Sequence, residues 1–150
     1  MPALFAFLHH VAAFALFAAL VVELVLIRGM LTAESARKLQ VADAIYGVSA
    51  VAVLLVGLAR VFHFEKGATY YFHTWTFIAK LALFALVGLA SIIPTREFLR
   101  WRAAVKAGQV PDVSPARIEQ IRSIIHYELM AVVLILLMAA LMARGVGLFY

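Results

Sequence analysis

Four long apolar runs, separated by short polar segments, set the plan of the chain. A helix rises about 1.5 Å per residue, so roughly 20 apolar residues cross the hydrocarbon layer of a bilayer. The runs predict spanning helices at approximately 4–27, 42–62, 72–94 and 124–143. Thr32 is placed to cap the second helix, with Glu34 near its positive end. Ser114-Pro115 reads as a cap followed by proline at the first helical position of the fourth. Ile118, Ile121, Ile125 and Leu129 then recur on one helical face. Pro94 is expected to end the third helix, with 95–108 continuing along the lipid surface. The segment 108–114, with Pro111, is the expected break, and Gly145 and Gly147 are expected to loosen the end of the chain.

Small and aromatic residues refine the pattern. Ala12, Ala15 and Ala19 form a face that a neighbouring helix can approach closely, and Gly47 and Gly57 read as close-packing points. Tyr70, Tyr71 and Trp75 form an expected interfacial belt, with Trp101 doing the same at the other end of the third helix.

Composition agrees with the periodicity. Of 150 residues, 66% are hydrophobic and 14% charged, against about 45–50% and about 25% in soluble domains. A globule this small cannot hide that excess. The four helices consume most of the chain, leaving one four-helix transmembrane domain over 1–150. With no cysteine, disulfides and thiolate metal sites are excluded. The net charge of +5 lies in the connections, which suits topology and anionic lipid and not nucleic acid. The first run lacks a basic start and is too long for a cleavable signal peptide. Nine basic residues, Arg28, Arg37, Lys38, Arg96, Arg100, Arg102, Lys106, Arg117 and Arg122, share one side of an even-numbered bundle, against Arg60, Lys66 and Arg144 on the other. The positive-inside rule then puts both termini on the outer, periplasmic side of a bacterial inner membrane.

The intramembrane polar residues sort into two layers. His9, His10, Arg60, His63, His73, Lys80 and Arg144 belong to the outer one; Glu23, Asp43, Tyr46, His126 and Glu128 belong to the inner one. His10 and Glu23 stand about 20 Å apart along one helix, too far for one small site. Neutral imidazole is a good haem ligand, and Arg or Lys can pair with a propionate. His10, as the deepest imidazole, or His9 is a candidate axial ligand, with His73 or Lys80 opposite and Arg60 as propionate anchor. The plainer alternative sets His9, His63 and His73 at headgroup level. In the inner layer, Glu23, Asp43, His126 and Glu128 are candidates for a divalent metal or for proton relay. The plainer alternative there pairs the carboxylates with Arg28, Lys38 or Arg122. No nucleotide-binding loop, HExxH or GxSxG occurs.

The sequence resembles the DUF2214 family of small bacterial membrane proteins. The likeness is carried by Tyr46-Gly47 with Gly57 and Arg60, Glu65-Lys66-Gly67 with Tyr70-Tyr71, Phe77 with Lys80, Ser91-Ile92-Ile93-Pro94-Thr95, Trp101-Arg102 and Ala143-Arg144-Gly145. A looser similarity reaches the HemJ-type protoporphyrinogen oxidases, four-helix membrane proteins associated with haem. There His10, Lys80 and Tyr127-Glu128 would take the places of a first-helix His, a third-helix Lys and a fourth-helix Asn-Glu; the Asn is not present here.

The expectation is therefore an all-α, integral-membrane four-helix bundle that binds haem b between its helices in a redox role. Its expected partners are the lipid bilayer, a second copy of itself through Ala139 and Ala143, and a redox partner or quinone. The alternatives are a proton- or metal-binding transport protein and a structural subunit without chemistry.

Overall fold

The computed structural model of the chain describes residues 2–64 and 67–147. It is helical, with no strand among the described residues. Helix α1 runs Pro2–Arg28, α2 Ala33–Ala59, the short α3 Ala68–Phe72, α4 Trp75–Arg100, the short α5 Arg102–Lys106 and α6 Pro115–Ala143; a π-helical turn, Arg60–Phe64, follows α2. Four helices are long and apolar enough to cross a membrane. Glu65 and Lys66 lie outside the described residues.

Both sequence-read caps are formed. The Thr32 hydroxyl accepts from the Ser35 N–H at 3.0 Å, and the Ser35 hydroxyl accepts from the Thr32 N–H at 2.8 Å. Ser114 Oγ accepts from the Arg117 N–H, with Pro115 at the first helical position. Each cap satisfies donors that a helix start otherwise leaves open.

Packing is strongest between α1 and α2 and between α4 and α6, and α1 against α6 joins the two pairs. Helices α2 and α4 meet only lightly, so the ring of helices has one open seam. Leu20, Leu39, Phe98, Ile121 and Ile125 are fully enclosed. Phe14, Val48 and Leu89 point outward and are 73%, 73% and 65% exposed. Large apolar side chains on the outside of a helical bundle identify lipid as the surrounding solvent.

Three expectations change. Helix α4 does not stop at Pro94 but runs to Arg100 with the proline buried. Proline removes one ladder hydrogen bond, yet the next turn is held by burial of Glu97, Phe98 and Trp101. Trp101 is therefore core and not interfacial: its ring meets Phe98 edge-on with centroids 5.1 Å apart, and it donates to Glu97 Oε1 at 3.3 Å. The other oxygen of Glu97 receives Arg117 Nε at 2.9 Å, which ties the end of α4 to the start of α6. The turn after α6 is likewise anchored. The Trp75 N–H donates to the Gly147 carbonyl at 2.9 Å, and Thr76 Oγ1 donates to the Val146 carbonyl at 3.1 Å. Gly147 has φ +104°, and a Cβ there would lie 2.7 Å from Trp75 Nε1. Glycine is used for this close return and not for looseness.

Candidate functional site

The two polar layers exist, separated along α1 by the buried Leu16, Ala19 and Leu20. At the histidine end, the order of the two imidazoles is the reverse of the expectation. His10 is exposed, and its Nδ1 lies 2.6 Å from the carbonyl of Ala6 in its own helix. His9 turns inward. It lies against the backbone of Val53 on α2, and its Cε1 lies 3.1 Å from where a Cβ on Gly57 would be. Gly57 thus seats the ring, as its sequence reading as a packing point implied. Arg60, Lys80 and His10 are the charged or titratable neighbours of His9.

Lys80 turns into the bundle and lines a small cavity with His9, Val53, Gly57, Phe77 and Ala139. Its Nζ is 5.2 Å from the centroid of the Phe77 ring, a cation–π distance. An ammonium within a span is expected to face protein in this way. His73 does not join this cavity. It is exposed between α3 and α4, with Nδ1 2.7 Å from the Thr69 carbonyl. Ala139 lines the cavity.

The group expected at this end was haem b, and the residues present do not fit it as laid out. The cavity measures ≈ 170 Å³, below the ~300–1,000 Å³ of pockets for molecules smaller than a porphyrin. The buried Nδ1 of His9 has no hydrogen-bond partner and faces Gly57, where a Cβ would stand 3.5 Å away. His10 lines the cavity from the same helix as His9, Lys80 lines it from α4, and His73 does not line it.

At the basic end, the carboxylates converge from three helices: Glu23 from α1, Asp43 from α2 and Glu128 from α6. They are 1%, 9% and 3% exposed. Asp43 and Glu128 are electrostatic neighbours of Glu23, and Asp43 is one of Glu128. Glu23 Oε1 and Glu128 Oε1 are buried with no hydrogen-bond partner. The plainer alternative, in which surface cations pair with these acids, is not what forms. Lys38 pairs with Glu34 at 2.7 Å and Arg122 with Glu119 at 2.5 Å, one helical turn away in each case. His126 is exposed against Tyr127 and stands apart from the acids. Among the described residues no group of three His, Asp or Glu is arranged to hold a metal ion.

Sequence reading missed the groups that serve Asp43 and Tyr46. Thr95 Oγ1 donates to Asp43 Oδ1 at 2.7 Å, and Ser91 is the hydroxyl neighbour of Tyr46. Both partners come from α4, on either side of Pro94. The only available signal was their spacing of four, which places two hydroxyls on one face of an apolar helix. These groups line a cavity of ≈ 540 Å³ in the open seam between α2 and α4. Gly47 is on its wall, and a Cβ there would meet nothing within 4 Å, so it marks open space and not close packing.

The family model described as predicted membrane protein (DUF2214) matches residues 1–147. No curated protein and no solved structure matches the chain.

Proposed function

The chain belongs to the DUF2214 family of predicted membrane proteins, and within that frame we propose that it takes up and releases protons at carboxylates buried in the bilayer. The carrying observation is that Glu23 and Glu128, on different helices, each bury an oxygen without a hydrogen-bond partner. An intramembrane carboxylate is expensive to retain and, by default, functional. Three in one layer repel one another whenever more than one is ionised. Proton exchange relieves that repulsion without another ion, and protons suit the site better than a metal does because among the described residues no ligand set is arranged around one. Four helices enclose few transport paths, so a transport role calls for a symmetric oligomer. The basic connections orient the carboxylates toward the cytoplasmic face of a bacterial inner membrane, with both termini outside.

Infrared difference spectra of the protein in lipid nanodiscs, recorded between two pH values, test this. A protonated-carboxyl band that titrates and is diminished in Glu23→Gln and in Glu128→Gln is expected. A spectrum with no titrating carboxyl band, or one identical in both variants, would refute the reading.

Haem b is the second reading, favoured by the inward His9 beside Lys80. It requires the small cavity to open around the imidazole. A Soret band in the purified protein that is lost in His9→Ala supports it, and no Soret band after incubation with haem removes it.

A further inference from the structure

The cavity between α2 and α4 is large enough to be a binding site and lies beside the proposed proton site. Its ≈ 540 Å³ falls in the range of ligand pockets, ~300–1,000 Å³. Two of its wall residues, Gly47 and Gly88, have no atom within 4 Å of where a Cβ would stand. The space is therefore room between helices and not a seam closed by backbone contact. Phe84, Val87 and Val48 give it apolar walls, and Asp43, Thr95 and Tyr46 bring polarity toward the basic end.

Hydrogen bonding within the wall decides which chemistry it can receive. Thr95 donates its hydroxyl proton to Asp43 Oδ1, and Ser91 donates its own to the Gly88 carbonyl at 2.7 Å. Ser91 is the hydroxyl neighbour of Tyr46, and Gln40 Nε2 donates to the Phe98 carbonyl at 2.7 Å. The Thr95 and Ser91 hydroxyl protons are thus directed at the protein, and the wall presents acceptors: the second oxygen of Asp43 and hydroxyl lone pairs. A quinone or another carbonyl head needs donors from its site. A protonated amine brings donors and a compensating charge. Arg102, the cationic residue of the lining, stands exposed at the rim, where water and salt screen it.

We propose that the seam between α2 and α4 binds protonated amines carrying an apolar or aromatic body, with the ammonium on Asp43 and the body between Gly47 and Gly88 beside Phe84. The inference rests on the proton reading in that Asp43 belongs to the same carboxylate layer. A cation at Asp43 also offsets the repulsion it exerts on Glu23 and Glu128, so amine and proton are expected to compete. The seam faces the bilayer, and an amphiphilic amine can enter from there.

The test uses the full chain in phosphatidylcholine nanodiscs, titrated with dansylcadaverine, a primary amine on an aromatic body, and followed by its emission. Its N-acetylated form, a neutral amide, is the control. Saturable, blue-shifted emission is expected with the amine and not with the amide. Asp43→Asn is expected to weaken binding about tenfold or more, because the lost contact is charge-assisted. Gly88→Leu, which fills the cavity without touching the carboxylates, is expected to do the same and keeps the test valid if Asp43→Asn fails to fold. No saturable signal with the native chain, equal binding of the amide, or native binding in either folded variant overturns the proposal. The infrared band of Glu23 and Glu128 is read separately, so loss of amine binding leaves the proton reading standing, and loss of the band leaves amine binding standing.

Discussion

Two glycines on one helix give opposite forecasts when each becomes alanine. In a helix interior, Gly→Ala gains about 0.5–1 kcal/mol from backbone entropy and propensity. At Gly47 the added methyl meets nothing within 4 Å, so Gly47→Ala should realise that gain. At Gly57 the methyl would stand 3.1 Å from His9 Cε1 and 3.5 Å from Nδ1. The ring cannot swing away cheaply, because it turns inward against Val53 and Gly57 of the same helix. Overpacking of this kind costs about 1–3 kcal/mol, which cancels the gain or exceeds it. The two variants should therefore differ by about 1–3 kcal/mol, or one to two decades in the folding constant. Reversible unfolding in mixed micelles, titrated with a denaturing detergent and followed by circular dichroism, measures the difference. His9→Ala in the Gly57→Ala background should restore the lost stability. Equal stabilisation by the two alanines, or no rescue by the double variant, would refute the inward placement of His9.

Other expectations follow from the polar contacts. Arg117→Ala removes the 2.9 Å partner of a carboxylate that is buried between α4 and α6. It should destabilise the bundle by about 2 kcal/mol, with Arg100 at 3.6 Å compensating only in part; the same unfolding titration reads it. Thr95→Val keeps shape but deletes the donor to Asp43 Oδ1, and a cost of about 1.5–3 kcal/mol is expected because the acceptor is charged when ionised. The same change should alter the affinity for dansylcadaverine at Asp43. Thr32→Ala removes a formed capping box, and about 1 kcal/mol should be lost.

Much of this architecture was legible because lipid imposes a length and a polarity that show directly in sequence. The four runs, the Thr32 and Ser114 caps and the Ile121–Ile125 face were all recoverable from periodicity and turn chemistry. So was the inward turn of Lys80, since hydrocarbon leaves an ammonium few other places to go. Rotation within a helix was not. His9 and His10 are adjacent, so depth alone cannot say which one faces α2; the answer lies in the gap that Gly57 leaves opposite. Gly47 and Gly57 look alike in sequence, yet one seats a ring and the other borders a void. Trp101 was read by its place near a helix end, where tryptophan suits an interface, but tertiary burial with Phe98 prevailed over that preference. The acids were visible, whereas Thr95, the hydroxyl partner of Asp43 on α4, was not, because Ser and Thr inside an apolar helix carry no pattern of their own.

The start of α4 lacks a side-chain cap of its own: Thr74 makes no such bond. Carbonyls from the turn after α6 fill that role instead, through Trp75 and Thr76. One end of the third spanning helix is thus completed by residues some seventy positions downstream. During synthesis that helix must wait, with an unmet N–H at its head, until the last turn has emerged. A reporter fused upstream of Gly145 would remove the clasp and report on a bundle whose third rod is frayed, whereas fusion beyond Gly147 would keep it.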